Sequence, residues 1–342
     1  MTDKITYEEL LRRMHDPSIP DAELRPYLLP GRGSGPLDPI VVPNPERVAV
    51  GEVEMDAASA IRIGNSLARW RRQRQFHSRR ILGEDLPVLV SEGDSWFQFP
   101  FLITDVIDHL GDEYLIWSLD AAGDTARNMV EVRPEYMDGL RRFAGEVRAF
   151  LFSGAGNDVI GESEEGVSSL LGILKPANPN GSADDHIDAV VLGRILAGLT
   201  GTYATMIRTI RAEPSLALLP IIIHGYDYPF PYPHVEGGAP DGRSPLYAAR
   251  DEWLGAAFTT RGIMDEELRR AILKRLIDAL YNALAALAGD SRQTGVYVVD
   301  CRNLLTSVTD WADEIHGTDE GFARVAARFR ATLADALSSN TV

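Results

Sequence analysis

Leu86-Pro-Val-Leu-Val-Ser-Glu-Gly-Asp-Ser-Trp96 joins a short apolar run to a small polar turn. The apolar part, residues 87–91, is typical of a strand that is buried on both faces of a parallel sheet. The turn places Ser95 just beyond that strand, at the edge where open α/β sheets carry their functional residues. Gly-Asp-Ser is also common in ordinary turns, so residues 93–96 gain their significance only from segments further along the chain.

From residue 84 onward, short apolar runs alternate with segments of helical periodicity. The predicted strands are rich in Val, Ile, Leu or Phe and cover residues 87–91, 114–118, 149–153, 218–224 and 295–300. The predicted helices cover residues 102–110, 134–147, 191–212, 266–288 and 321–337. This alternation predicts a three-layer α/β/α sandwich around a parallel five-stranded sheet. Right-handed crossovers would then bring the carboxyl ends of all five strands to one edge.

Residues 1–83 depart from this pattern, and we predict a mostly helical N-terminal extension before a main domain of residues 84–342. Helical character is found at residues 7–15 and 55–80. Between them, residues 30–45 are rich in Gly and Pro and predict a loop. The extension is expected to pack on the main domain or to project from it.

Two connections of the main domain are too long for simple crossovers. They cover residues 161–187 and 226–264, and the second is dense in aromatic residues, Pro and Gly. Both leave the carboxyl end of a predicted strand. We therefore predict lid-like insertions beside a site at that edge of the sheet.

Composition limits the classes of function. The chain has 342 residues, is 45% hydrophobic and carries a formal net charge of −16, which does not favour binding to nucleic acid. Its first residues contain charges throughout and lack the apolar core of a signal peptide, and we expect no transmembrane segment. A cytoplasmic location is therefore expected, although export without a signal would leave no trace. With Cys301 as the single cysteine, no intrachain disulfide and no Cys-based metal cage is expected.

Residues with the chemistry of a hydrolase follow four of the predicted strands. Ser95 is a candidate nucleophile, which needs a general base because a free hydroxyl reacts poorly. Asp313 and His316 follow the last strand, and their spacing lets the carboxylate orient the imidazole. Gly123 offers a backbone N–H without a side chain, and the Asn157 amide is a suitable donor to an oxyanion. Together these residues predict a serine hydrolase site.

At these positions the chain resembles the SGNH/GDSL hydrolase superfamily of serine esterases and lipases. Gly93-Asp94-Ser95-Trp96 resembles its first block, Ala122-Gly123 the second, Gly156-Asn157-Asp158 the third and Asp313-x-x-His316 the last. The resemblance spans about residues 86–335.

The resemblance implies a flavodoxin-like sheet and hydrolysis of carboxylic esters through an acyl-enzyme on Ser95, with no metal or other cofactor. It also implies an oxyanion hole formed by the N–H groups of Ser95 and Gly123 and by the Asn157 side chain. The chain departs from the family pattern at Trp96, Ala155 and Gly317, where Leu, Gly and Pro are usual. None of these departures removes a reacting group.

Other residues at the same edge keep alternatives open. His224 ends the fourth predicted strand, and it is a rival base, a hydrogen-bonded core residue or a substrate contact. Trp96, His224, Tyr226 and Tyr228 are candidates for a substrate wall, although an aromatic-rich loop can equally pack on itself. Asp94 and Asp158 are expected to brace their loops by hydrogen bonds. His186 lies in a polar loop without a second ligand cluster, so a solvated residue is expected rather than a metal ligand.

The basic run at residues 69–80 has two interpretations. Its arginines either pair with the acidic body of the protein, which we favour, or bind an anionic partner. The second interpretation predicts a phospholipase or lysophospholipase that docks on lipid. Both interpretations together leave two classes of substrate open, a small-molecule ester and a lipid ester. A third hypothesis is a catalytic module tethered to a protein partner, or to a second copy, through residues 1–83.

Overall fold

A computed structural model describes residues 4–31, 41–49, 57–161, 168–235, 241–243 and 254–338. The N-terminal part contains β1 (Ile5–Thr6), α1 (Tyr7–Met14), α2 (Asp21–Leu24), β2 (Leu28–Pro30), β3 (Val41–Pro43), β4 (Val48–Ala49) and α3 (Ala57–Ile81). The main part contains β5 (Val88–Gly93), α4 (Val106–Leu110), β6 (Leu115–Ser118), a π-helical turn (Asn128–Val132), α5 (Glu135–Arg142), β7 (Val147–Ser153), α6 (Gly156–Ile160), α7 (Ser169–Ile173), α8 (Ala189–Arg211), β8 (Ile221–His224), α9 (Gly255–Thr260), α10 (Glu266–Ala288), β9 (Val296–Val299) and α11 (Asp319–Ser338).

The central sheet has five parallel strands in the order β6-β5-β7-β8-β9, with helices packed on both sides. On one face α4 contacts α11, and on the other α8 contacts α10, as right-handed crossovers require. Every residue of β5 is buried, which explains its continuous apolar run. The predicted three-layer α/β/α sandwich is confirmed, and all five predicted strands form. Their carboxyl ends meet at one edge, where the candidate residues lie.

Two predicted helices are shorter in the structure. The first begins at Val106 instead of residue 102 because Phe101 has a positive φ of 62° and the Asp105 side chain caps the helix. The second ends at Arg142, five residues before the predicted boundary. Residues 143–146 form a turn, and Val147 instead starts β7, where it pairs with Val88. Apolar periodicity alone did not separate that helix from the strand that follows it.

The described part of the N-terminal extension packs on the main domain. Helix α3 lies against β6, where Phe76 meets Trp117 edge-on at a centroid distance of 5.5 Å. The loop predicted at residues 30–45 is partly wrong, because β2 and β3 pair antiparallel within it. Pro30 and Pro43 end these two strands, and a proline is tolerated at the end of such a small sheet because it lacks only a donor. Residues 32–40 lie outside the described chain.

Most arginines of the basic run at residues 69–80 form ion pairs with other residues of the same chain. Arg71 is 2% exposed, donates to three backbone carbonyls of the extension and pairs with Asp21 at 2.8 Å. Arg72 pairs with Asp105 and Asp108, and the remaining ion pairs of the run are Arg69–Glu135, Arg79–Glu84 and Arg80–Glu146. These five arginines agree with the interpretation as intramolecular pairing, and Arg74 lies over the ring of Trp70. The interpretation as a lipid-docking surface is not supported, because these guanidinium groups already have partners.

The described parts of the two insertions form a cap with an apolar core of its own. Its buried members come from α7, α9, the start of α10 and their connections: Leu170, Ile173, Leu174, Ile187, Leu254, Ala257, Phe258, Ile263, Ile272, Leu273 and Leu276. Residues 162–167, 236–240 and 244–253 of these insertions lie outside the described chain. The cap lies at the carboxyl end of the strands, and a lid function for it stays a prediction.

Helix α8 connects the cap to the main core. Among the described helices, it alone is long and apolar enough to cross a membrane, by length and composition. No transmembrane segment was expected from the sequence. In the structure Tyr203, Met206 and Ile210 of this helix are buried against the sheet, whereas Val190 at its start is 72% exposed.

Candidate active site

Ser95, His316 and Asp313 form a continuous hydrogen-bonded relay. The Ser95 Oγ atom lies 2.7 Å from His316 Nε2, and His316 Nδ1 lies 2.7 Å from Asp313 Oδ2. All three side chains are almost fully buried, with at most 4% of their surface exposed. A carboxylate on Nδ1 holds the proton there, which leaves Nε2 as an acceptor for the serine proton. The arrangement can therefore deprotonate Ser95 as it attacks an electrophile.

The loop that carries Asp313 and His316 is folded tightly on itself. Asp313 Oδ1 accepts hydrogen bonds from the N–H groups of Ile315 at 2.8 Å and His316 at 2.7 Å. Across the loop, the Ala312 N–H donates to the carbonyl of His316 at 2.8 Å. One carboxylate thus fixes the backbone with one oxygen and the imidazole with the other. This geometry explains how Asp313 can orient the imidazole of His316 although the two residues are only three positions apart in sequence.

The nucleophile turn is braced from below by Asp94. Its carboxylate accepts from the Trp96 N–H at 3.0 Å, from Ser153 Oγ at 2.7 Å and from the Tyr226 hydroxyl at 2.5 Å. Burial raises the pKa of Asp94 to about 6 in spite of these donors. Gly93 is required for packing, because a Cβ there would lie 2.6 Å from the Phe97 ring. The predicted bracing role of Asp94 agrees with these contacts.

Two of the predicted oxyanion donors, Ser95 and Gly123, lie in turns, and the third, Asn157, lies in the first turn of α6. Within the described chain, the N–H groups of Ser95 and Gly123 have no intramolecular acceptor. Gly123 adopts a φ of 84°, a conformation that favours glycine. The Asn157 side chain lines the cavity beside Ser95 and donates one amide proton to the carbonyl of Asp124. That bond fixes the amide group and leaves its second proton for a ligand.

His224 is not placed to act as the base or as a substrate contact. Its side chain is fully buried, and its ring nitrogens lie 2.6 Å from the carbonyl of Gly225 and 2.8 Å from Ser153 Oγ. Burial lowers the pKa of His224 to about 4, and its ring stacks on those of Trp96 and Phe97. The hypotheses that made it a rival base and a substrate wall are therefore wrong, and it is a core residue.

Two of the four predicted wall residues line the cavity. Trp96 and Tyr226 contact it directly. Tyr228 does not, because its hydroxyl turns outward and donates to Asp278 at 2.6 Å. His186 also differs from expectation, since it is fully buried and accepts a hydrogen bond from the Asn178 N–H at 2.9 Å. It closes the Pro- and Asn-rich loop of the first insertion.

An apolar cavity opens beside Ser95. The region that its residues surround contains about 730 Å³ of space without protein atoms, a figure that includes open solvent. Its lining is Asp94, Ser95, Trp96, Ala155, Gly156, Asn157, Val159, Ile160, Leu192, Leu196, Tyr226, Asp227, Pro229, Leu254, Leu273, Leu276, Ile277, Leu280, Trp311 and Ile315. No lysine, arginine or histidine belongs to this described lining, which therefore suits an uncharged aliphatic group. In the described chain, no group of three or more His, Cys, Asp or Glu side chains could hold a metal ion.

The second insertion fastens the loop that carries Asp313, a feature that sequence reasoning missed. Arg243 donates to the carbonyls of Phe230 at 2.6 Å and Asp313 at 3.0 Å. Glu314, which follows Asp313, accepts from the N–H groups of Tyr232, Leu254 and Gly255 at 2.7 to 2.9 Å. Burial nevertheless raises the pKa of Glu314 to about 7. Neither residue belongs to a local motif, so no sequence signal marked them.

Glu314 is expected to make stability depend on pH. Its folded pKa of about 7 exceeds the ordinary value of 4.5, so the folded protein binds the proton more tightly than the unfolded chain. Its contribution to the free energy of unfolding should fall by about 3 kcal/mol as pH rises from about 4.5 to about 7. Urea unfolding of wild type and Glu314→Gln near pH 5 and near pH 8 measures this, because the variant lacks that loss.

The matched control is Glu320→Gln, which neutralises an exposed glutamate at the start of α11. Its pH profile should follow that of wild type. If Glu314→Gln also follows wild type across the whole range, the proton on Glu314 does not couple to folding.

Comparison with known proteins gives only distant likenesses. The chain matches no protein-family model and no curated sequence. Among solved structures it is similar to a protein from Slackia heliotrinireducens assigned to the SGNH hydrolases, at 12% identity and a TM-score of 0.38, covering 73% of this chain and 100% of the other. It is also similar to a family 3 carbohydrate esterase from Clostridium thermocellum, at 12% identity and a TM-score of 0.34, covering 75% and 98%. A protein from Arabidopsis thaliana is similar at 14% identity and a TM-score of 0.33, covering 71% and 68%.

Proposed function

We propose that this chain is a serine hydrolase of the SGNH type that cleaves carboxylic esters through an acyl-enzyme on Ser95. The observation that carries the proposal is the buried relay from Ser95 Oγ through His316 to Asp313, with both distances at 2.7 Å. It lies at the carboxyl end of a parallel sheet, where open α/β folds carry out chemistry. Because the identities and TM-scores of the similar structures are low, the proposal rests on this geometry.

In the first half of the reaction, Ser95 Oγ attacks the acyl carbon while His316 Nε2 takes the hydroxyl proton. The tetrahedral adduct then collapses, and the imidazolium returns that proton to the leaving alcohol oxygen. In the second half, water attacks the acyl-serine, His316 removes its proton and Ser95 leaves with that proton restored. Asp313 stays ionised and stabilises the imidazolium in both halves.

Three donors would stabilise the oxyanion of each tetrahedral adduct. The N–H groups of Ser95 and Gly123 are without intramolecular acceptors in the described chain, and Asn157 adds an amide proton. A donor of this kind contributes about 3 kcal/mol where one has been removed from other serine hydrolases. The donors act only if the Gly123 peptide is turned toward the acyl group.

The cavity supports a proposal for the acyl part of the substrate. Its wall is formed largely by leucine and isoleucine side chains of α8 and α10, and it begins at Ser95 itself. A buried methylene contributes about 0.8 kcal/mol, which corresponds to about a fourfold gain in kcat/KM for each one that enters the cavity. We therefore propose aliphatic acyl esters as substrates. Small-molecule and lipid esters both present such a group.

Narrowing the cavity is expected to change the preference for acyl length. Ile277, on α10, contributes to the wall, and Ile277→Trp would place an indole where a longer chain lies. In a series of p-nitrophenyl esters from acetate to decanoate, wild type should gain about fourfold in kcat/KM per methylene until the cavity is full. The variant should lose most of that gain and keep its acetate turnover.

Ala271→Trp is the matched control, because Ala271 lies on the same helix but is exposed. It should show the acyl-length profile of wild type. If Ile277→Trp lowers turnover of all esters equally, the cavity does not hold the acyl chain. If wild type shows no ester turnover at all, the proposed reaction class is wrong.

The other hypotheses receive less support from the structure. The apolar lining is compatible with a lipid ester, but docking through residues 69–80 receives little support while five of those arginines are ion-paired. Tethering through residues 1–83 remains a proposal about partners. A segment that served only as a tether would be dispensable for turnover, which does not agree with the contact of Arg72 on α3 to the nucleophile loop.

A further inference from the structure

We propose that Asn65, on α3 of the N-terminal extension, is a positioning residue for the oxyanion hole. The inference rests on the proposed function and assigns a role in it to a part of the chain outside the family resemblance. Both polar atoms of the Asn65 amide form hydrogen bonds with the backbone of one residue, Ala122, in the loop that follows β6. Its Oδ1 accepts from the Ala122 N–H, and its Nδ2 donates to the Ala122 carbonyl, each at 3.0 Å.

The geometry of a trans peptide links this contact to Gly123. The carbonyl of Ala122 and the N–H of Gly123 belong to the same planar peptide group, in which they point in opposite directions. Because Asn65 holds that carbonyl toward α3, the Gly123 N–H must point away from α3. In the described chain that N–H has no intramolecular acceptor, as a donor reserved for a ligand requires.

Gly123 itself does not fix this orientation. Its φ of 84° lies in a region that glycine enters freely but does not prefer. A peptide beside such a residue can turn over unless its carbonyl is held. The Asn65 amide supplies that constraint from outside the loop, so the donor is in place before an oxyanion forms. Preorganised donors stabilise a transition state because they do not reorient during the reaction.

Asn65 also joins the oxyanion loop to the nucleophile loop. Gln98, three residues after Ser95, donates from Nε2 to Asn65 Oδ1 at 3.0 Å and to its carbonyl at 3.2 Å. Gln98 is fully buried, so this contact is shielded from water. One side chain of the extension therefore sets the spacing between two of the proposed donors, Ser95 N–H and Gly123 N–H.

The test compares Asn65→Ala with wild type on p-nitrophenyl butyrate. We expect kcat to fall by about 10- to 100-fold, less than the full loss of an oxyanion donor, with KM changed by less than about twofold. The affinity for butylboronic acid, whose tetrahedral adduct puts an oxygen in the oxyanion position, should fall in parallel. A residue that only supports the fold would not link these two quantities.

Two further variants complete the design. Gln73→Ala removes a matched contact, an amide of the same helix that donates to the Ser118 carbonyl at 3.0 Å, and it should keep wild-type kcat. Asn65→Asp keeps the acceptor for the Ala122 N–H but loses the donor to the Ala122 carbonyl, and it should be as slow as Asn65→Ala. Thermal unfolding of each variant checks that it folds.

Three results would overturn the inference. The first is an Asn65→Ala enzyme with wild-type kcat, and the second is an Asn65→Asp enzyme with wild-type kcat, which would show that the carbonyl need not be held. The third is an equal loss in Gln73→Ala, which would indicate general packing of α3. All three require an active wild type, so they are distinct from failure of the proposed function, in which wild type and Ser95→Ala would both lack turnover.

Discussion

Ser95→Ala is expected to reduce kcat for p-nitrophenyl butyrate by about 10⁴- to 10⁶-fold, the range found when a serine nucleophile is removed from other hydrolases. The Ser95 hydroxyl contacts His316 Nε2 directly, and His316 in turn contacts Asp313. Alanine removes the atom that would carry the acyl group and leaves the backbone N–H of residue 95 in place. Only catalysis by the oxyanion donors and by substrate binding would remain.

The same variant should keep the fold, because within the described chain the hydrogen-bond partner of Ser95 Oγ is His316 Nε2. Its thermal unfolding should match that of wild type. Ser215→Ala, which removes an exposed hydroxyl near the start of β8, is the matched control and should retain full turnover. An active Ser95→Ala enzyme would mean that another group attacks the ester.

Asp313→Asn is expected to lower kcat by about 10⁴-fold, because it changes the tautomer of His316 and preserves its position. The asparagine oxygen can still accept from the N–H groups of Ile315 and His316, so its NH₂ would face His316 Nδ1. Nδ1 would then accept, and the ring proton would move to Nε2. A protonated Nε2 cannot take the proton of Ser95.

The pH dependence of kcat in Asp313→Asn tests the change in the His316 tautomer in a second way. Hydroxide can partly replace a general base, so the residual kcat should rise with pH beyond the point where wild type levels off. Asp310→Asn is the control, since Asp310 lies on the same loop but pairs with Arg324 instead of His316. Equal losses in the two variants would point to a disturbed loop and not to the tautomer.

Local sequence was enough to predict the relay and the sheet. Ser95 lies directly after a short apolar run, whereas Asp313 and His316 follow the last run after a longer loop. In a parallel fold those strand ends must meet at one edge. Helix boundaries were less predictable, because residues 143–146, which apolar periodicity assigned to a helix, form a turn before β7 begins at Val147. The cap of Asp105 and the positive φ of Phe101 are turn features that periodicity does not report.

The supporting residues of the site could not be predicted, because each acts over a long distance in sequence. In each case the hydrogen-bonded segments share no motif. The pairs are Asn65 with Ala122, Arg243 with Asp313, and Glu314 with Leu254. His224 was misplaced for a related reason. Its position at a strand end suggested the site, but its ring packs inward against Trp96 and Phe97.

The structure gives the N-terminal extension contacts with the site that the sequence did not predict. Its α3 arginines fasten it to the main domain, and Arg72 donates to the carbonyl of Phe97 in the nucleophile loop at 2.7 Å. With Asn65 it reaches both loops that carry the proposed backbone donors. The extension is therefore part of the architecture of the site, and removing it should impair turnover as well as stability.

Covalent labelling by a fluorophosphonate probe tests the central claim most directly. Ser95 Oγ would attack phosphorus, fluoride would leave, and the peptide that contains Ser95 would gain the mass of the phosphonyl group. The proposed function predicts a single adduct on Ser95 in the folded protein, none in Ser95→Ala and very slow labelling in Asp313→Asn. An adduct on a different residue, or none on wild type that hydrolyses esters, would contradict it.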